Sequence, residues 1–170
     1  MRDIIAEHSR EVFLKPGEII VSQNPIMVNT ILGSCVAVTM YSPGRKAGAI
    51  CHAMHPSDPK QERNFHYVET AIRNIYDRMI EYGGMADLVV KLFGGAQVLE
   101  FGLNAGSAKT IGEQNITQAK RVLEELGLPI AGTDVGGNRG RKLFFSIKTG
   151  DVYVRRLRLS KKMYLQGMLQ

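Results

Sequence analysis

Two residues able to do covalent hydrolytic chemistry lie seventeen positions apart: Cys35, in Gly33-Ser34-Cys35, and His52, in Gly48-Ala49-Ile50-Cys51-His52-Ala53-Met54. A thiol attacks as its thiolate, and an unassisted cysteine is mostly protonated near neutral pH, so a nucleophilic cysteine needs a base within reach. Imidazole can serve as that base. If residues 36–41 and 47–54 pair as a hairpin across a four-residue loop, Ser42-Pro43-Gly44-Arg45, Cys35 faces His52 with Cβ atoms roughly 4.5–5.5 Å apart. A five-residue loop makes the pair a diagonal one. Gly33-Ser34 is a turn that can bare backbone N–H groups beside the sulfur, which is what an oxyanion requires. The alternative is a plain strand-to-strand turn with a thiol that has no task, and at the level of residue types both readings stay open.

Alternation separates the two cysteines. Along a strand successive side chains point to opposite faces, so Cys35, Ala37, Thr39 and Tyr41 share a face with Ile50 and His52. Val36, Val38 and Met40 share the other with Ala47, Ala49 and Cys51. The second set is wholly apolar and reads as core, making Cys51 a buried small hydrophobe. The same alternation argues against a metal site built from Cys35, Cys51, His52 and His55, because Cys51 and His52 diverge and the spacing lacks paired ligands. No metal and no cofactor is expected.

The elements that must position these groups are legible in part. Residues 18–22, 27–32, 36–41, 47–54, 87–93 and 129–134 read as strands, and 142–148 with 151–157 read as a hairpin about Thr149-Gly150. Val68, Ala71, Ile72, Ile75, Met79 and Ile80 form one apolar face of a helix over 67–82, stopped at Gly83-Gly84. Ala119, Val122, Leu123 and Leu126 predict a second helix over 116–126. Clustered strands with two helices indicate an α+β fold in a single domain over 1–170, with a core at about 15–157 and a basic tail at 158–170.

Composition narrows the function classes. The chain has 170 residues, 44% of them hydrophobic, and only two cysteines, which fits a globular domain and no disulfide framework. The start lacks a secretory h-region and no run is long enough to span a membrane, so a cytoplasmic protein is expected. The net charge of +6 includes a late cluster of Arg139, Arg141, Lys142, Arg155, Arg156, Arg158, Lys161 and Lys162. No aromatics are interleaved with those cations and no nucleic-acid motif is visible, so a nucleic-acid partner is not expected. Residues 102–110, glycine-rich with Lys109 and Thr110, lack the spacing of a phosphate loop.

The block Leu32-Gly33-Ser34-Cys35-Val36-Ala37-Val38, with Gly48-Ala49, His52-Ala53-Met54 and Pro56, resembles the CheD family, the chemoreceptor glutamine deamidases of bacterial chemotaxis. The resemblance continues through Phe93-Gly94-Gly95-Ala96, Asn115, Asp134-Val135-Gly136-Gly137-Asn138-Arg139-Gly140-Arg141 and Thr149-Gly150. It implies packed mixed sheets flanked by helices in α/β/β/α layers, similar to the cysteine-hydrolase fold of deamidating toxins. It implies a protein-glutamine glutaminase that converts glutamines of methyl-accepting chemoreceptors to glutamate, with Cys35 as nucleophile and His52 as general base. It also implies a CheC phosphatase as a possible partner. The family's third residue is a threonine that orients the histidine, six residues before the cysteine. Here that position is Asn29, whose side-chain carbonyl can also accept from an imidazole N–H, and the threonine is Thr30, which is the favoured candidate, with Thr39 a further one. A non-catalytic module that binds receptor or CheC is the competing class.

Overall fold

Strands β4 (Val36–Ser42) and β5 (Ala47–Ala53) form the antiparallel hairpin at the centre of the molecule, and every residue of both is buried. In this computed structural model, which describes residues 10–97 and 109–158, the alternation along these strands separates two cores. Val36, Val38, Met40, Ala47, Ala49 and Cys51 face two helices. Ala37, Tyr41 and Ile50 face a second sheet.

The first sheet is five-stranded, in the order β2 (Ile19–Ser22), β5, β4, β6 (Val89–Gly94), β7 (Ile130–Val135). The second is four-stranded, in the order β1 (Arg10–Phe13), β3 (Ile26–Leu32), β8 (Arg141–Ser146), β9 (Val152–Arg156). Both are mixed: β6 runs parallel to β7 and β1 parallel to β3. The two inner faces meet through Val28, Leu32, Leu143 and Phe145 on one side and Ala37, Ile50 and Phe93 on the other.

Helix α1 (Val68–Glu81) buries Val68, Ala71, Ile72, Ile75 and Met79 against the five-stranded sheet. Each of the larger side chains contributes about 1.5–3 kcal/mol through burial. Ile80, placed on the same face by its spacing, is 39% exposed. Gly83 ends the helix at φ +73°, a left-handed conformation that suits glycine. Helix α2 (Ile111–Glu125) begins five residues before the expected start at 116. Thr110 and Glu113 make a reciprocal capping box at its start, which satisfies two of the backbone donors that a helix N-terminus otherwise leaves open.

The α+β class therefore holds, with two mixed sheets packed face to face and helices laid on them. Both described helices pack on one face of the five-stranded sheet, α1 against β5, β4 and β2 and α2 against β4 and β6. Among the described residues the order is helices, sheet, sheet. The glycine-rich segment 102–108 and most of the basic tail lie outside the described residues. Two of the late cations, Arg141 and Arg156, form ion pairs with Asp134, so the cluster is partly neutralised within the fold. Among the described residues no helix is long and apolar enough to cross a membrane.

Candidate active site

His52 is held at both backbone ends by the segment that joins β1 to β2. Its N–H donates to the Glu18 carbonyl at 3.1 Å, and its carbonyl accepts from the Gly17 N–H at 2.8 Å. The side chain points between the sheets and is 1% exposed. Its Nδ1 lies 2.8 Å from Thr30 Oγ1, and the Thr30 hydroxyl lies 2.7 Å from the Leu14 carbonyl oxygen. A hydroxyl has one proton. A carbonyl can only accept, so the Thr30 proton goes to Leu14, and Thr30 must accept from an Nδ1–H. That assigns the tautomer: Nε2 carries the lone pair, and it has no hydrogen-bond partner among the described residues. Burial pushes the imidazole down to about 4, outweighing the Leu14 backbone and the Glu18 carboxylate, which pull the other way. His52 is thus a neutral imidazole with its basic nitrogen unengaged.

Cys35 lies just before β4 and is half-buried. The hairpin register pairs Ala37 with His52 and Val36 with Ala53. This corrects the expected direct opposition of Cys35 and His52. The turn comprises Pro43 to Lys46, with Ser42 still paired to Ala47, and Lys46 adopts a left-handed φ of +49° to close it. The loop has four residues as expected but sits one residue later, which moves the partner of His52 by two. A shift of two preserves the face, so Cys35 and His52 remain on the same side as diagonal neighbours. No hydrogen bond joins them, since Nε2 is unpartnered. Burial raises the Cys35 thiol above its ordinary value, with its own backbone N–H opposing that shift. The two groups are a neutral pair at rest, with no standing thiolate–imidazolium.

Three consecutive carbonyls fix the loop that carries the sulfur. The Gly33 oxygen accepts from the Ala96 N–H at 2.7 Å, and the Cys35 oxygen from the Gly95 N–H at 2.7 Å. The Ser34 oxygen accepts from Asn115 Nδ2 at 2.9 Å. Glycine at 94 is required for this approach. Its φ is +105°, and an added Cβ would stand 2.2 Å from the Cys35 oxygen. Gly136 N–H donates to the Gly94 carbonyl at 2.9 Å, tying in the glycine-basic turn. The wholly buried Arg141 stiffens that turn through the Asp134 side chain and the Asp134 and Gly136 carbonyls.

A half-buried thiol, a neutral imidazole of defined tautomer on the same face and a rigid glycine turn are the parts needed for nucleophilic attack on a carboxamide or ester. The family model described as CheD chemotactic sensory transduction matches residues 52–156. A Geobacter sulfurreducens protein named "Probable chemoreceptor glutamine deamidase CheD 2" is 44% identical over 147 residues, covering 86% of this chain and 89% of its own. The chain belongs to the CheD family. A Maridesulfovibrio salexigens relative is 40% identical over 157 residues, with 87% and 92% covered, and one from Methanococcus maripaludis is 37% identical over 146, with 84% and 93% covered. Both carry the name "Probable chemoreceptor glutamine deamidase CheD".

Within this family member, the candidates for a third residue separate by strand alternation. Asn29 points to the opposite side of β3 from Thr30, and its Nδ2 donates to Glu11 Oε1 at 2.8 Å on β1. Thr39 pairs with Ile50, on the neighbouring strand position away from His52. Thr30 alone of the three contacts the imidazole. Sequence reasoning missed the Leu14 carbonyl, which decides the tautomer, and the role of Asn115 in holding the cysteine loop. The first is a backbone atom sixteen residues from its partner and leaves no trace in residue types. The second lay inside the CheD-like pattern as one of several polar residues of its helix, and residue type alone does not show that it is the buried one.

Proposed function

We propose that this chain is a protein-glutamine deamidase that hydrolyses glutamine side chains of chemoreceptors to glutamate and releases ammonia, with Cys35 as nucleophile, His52 as base and then acid, and Thr30 orienting the imidazole. The observation that carries this reading is the assigned His52 tautomer, which leaves Nε2 as the basic, unengaged nitrogen of a ring on the sheet face that Cys35 shares. The family relationship supplies the substrate class. Substrate docking closes the Cys35–His52 gap, as catalytic hydrogen bonds often tighten only in the complex.

The chemistry balances. Nε2 takes the thiol proton as Sγ attacks the carboxamide carbon, and the N–H groups of Ser34 and Cys35 stabilise the oxyanion. The intermediate collapses with the C–N bond breaking, and ammonia leaves with the proton from Nε2. A water then gives its proton to Nε2 and its oxygen to the acyl carbon, and the returning proton restores the thiol. One water is consumed per ammonia released.

The reaction belongs in the cytoplasm, where the receptor's signalling helices lie. The resemblance also makes a CheC-type phosphatase a candidate partner. The test is incubation with a chemoreceptor cytoplasmic fragment, reading ammonia and the mass change of a carboxamide-to-carboxyl exchange. The wild type should show both and Cys35→Ala neither. Tight binding of receptor without a mass change would replace the enzyme with a binding module.

A further inference from the structure

We propose that Asn115 is a positioning residue for this reaction: it holds the Ser34 carbonyl so that the Cys35 N–H, at the other end of the same peptide, stays aimed at the developing oxyanion. The inference rests on the deamidase reading above and names a residue which that mechanism does not use.

Asn115 lies in the second turn of α2 and is 0% exposed. One nitrogen makes two bonds, to the Ser34 oxygen and to the Met54 oxygen, each at 2.9 Å. Both partners are acceptors, so the amide can sit only one way round; flipping it would set its oxygen against two carbonyls. Ser34 precedes the nucleophile. Met54 follows β5, two residues beyond the base. A single side chain therefore clamps the cysteine loop to the end of the histidine strand, across the diagonal gap between Cys35 and His52.

A peptide unit is planar and trans, so its carbonyl and N–H point in opposite directions. Drawing the Ser34 carbonyl toward α2 directs the Cys35 N–H away from the helix layer. The flanking peptides are set by Ala96 and Gly95, whose N–H groups take the Gly33 and Cys35 oxygens. The middle peptide is the one that depends on a side chain, and it is the one whose N–H belongs to the nucleophile.

The amide is also retained at a cost. Its Oδ1 is buried and has no hydrogen-bond partner among the described residues. An apolar side chain would pack at this helix position without an orphaned acceptor, so packing alone does not account for asparagine. Its two donors do.

The experiment compares acyl chemistry with simple alkylation at the same sulfur. Iodoacetamide reacts with a thiolate by displacement at carbon and forms no oxyanion, so it reports whether Cys35 is present and reachable, independent of the N–H groups. Asn115→Ala should lower kcat for receptor deamidation about 10- to 100-fold, with KM changed less than about threefold. Its Cys35 alkylation rate should stay within about threefold of wild type. Asn115→Asp has the same shape and loses at least one donor, so it should show the same split if the alanine variant does not fold. Wild-type kcat in a folded variant, or alkylation falling in step with kcat, would overturn the positioning role. Wild type and Cys35→Ala run alongside keep the two claims apart, because a wild type that releases no ammonia sinks the deamidase reading itself.

Discussion

The two faces of the β4–β5 hairpin carry one cysteine each, and the difference between them shows what makes a thiol chemically useful. Cys51 is adjacent in sequence to His52, yet it points into the helix-side core, is 1% exposed, and has its thiol pushed up to about 12 by burial. Cys35 is seventeen residues from His52, points to the imidazole's side, is half-buried, and sits on a loop fixed at three successive carbonyls. Chain neighbours on a strand are on opposite faces, whereas diagonal partners on adjacent strands share one. Position in the fold, and not in sequence, decides which thiol shares a face with the imidazole.

The largest test of this contrast is selective alkylation. With the native protein, iodoacetamide should modify Cys35 and leave Cys51 untouched, with at least a roughly thousandfold difference in rate, because reaching Cys51 requires the core to open. Peptide mass mapping at intervals reads it. Since burial raises the Cys35 thiol, its alkylation should keep accelerating with pH through the range where an ordinary cysteine levels off. Equal labelling of both thiols in folded protein would erase the distinction between the faces.

The next test removes the hydroxyl that accepts from His52 Nδ1. Thr30→Val keeps the shape and deletes the acceptor for His52 Nδ1. Deamidation should fall about 10- to 100-fold, on the scale seen when the partner that orients a metal-bound imidazole is removed. The Leu14 carbonyl would lose its side-chain donor, costing about 1–3 kcal/mol of stability in a urea melt. Thr30→Ser should retain most activity because it keeps the hydroxyl. An unaffected Thr30→Val would place the tautomer outside the mechanism.

Much of this division was legible beforehand. Alternation alone put Val36, Val38, Met40 and Cys51 on a core face and Ala37 and Ile50 on the opposite face, because a period of two survives any even shift of register; that the opposite face is also a core, against a second sheet, comes from the structure. The register itself was not legible. It depends on where the turn closes, and that rests on Lys46 entering a left-handed conformation which its residue type does not advertise. Strand β1 was missed because Arg10–Phe13 is short and mostly exposed and pairs in parallel with a strand well downstream. The start of α2 carried a signal in Thr110-x-x-Glu113, masked by Gly112, a poor helix former. Gly112 is there because a Cβ would meet the Gly95 carbonyl oxygen at 2.5 Å. The helix approaches the cysteine-side loop that closely, and the close approach brings Asn115 within reach of Ser34.

The imidazole also separates the two faces by pH. His52 ordinarily titrates at 6.5 and is held at about 4 in the folded chain. Above 6.5 both folded and unfolded forms are neutral, and pH has no effect through this group. Between 6.5 and 4 the unfolded chain takes a proton that the folded chain refuses, so stability falls as pH falls, by about 3 kcal/mol in full. Below 4 the folded form is protonated as well and the loss is complete. Urea melts at pH 7.5 and 4.5 should show this drop in wild type and a shallower one in His52→Gln. An equally steep drop in His52→Gln would assign the acid sensitivity to other groups.

The smallest expected effect is at the other thiol. Cys51→Ala removes one sulfur from the cluster formed with Val36, Val38 and the α1 side chains, so it should cost about 1–2 kcal/mol of stability through lost packing. Its kcat should remain within about twofold of wild type, because the sheet lies between the alanine and His52 and the substitution leaves every hydrogen bond of Thr30, His52 and the cysteine loop in place. Cys51→Ser should lose more stability than Cys51→Ala, since it buries a hydroxyl in an apolar setting. The two substitutions differ in stability and should agree in kcat, so activity and melting measured on the same pair separate packing from chemistry. A large fall in kcat for Cys51→Ala, with melting little changed, would mean that the helix-side face takes part in the reaction.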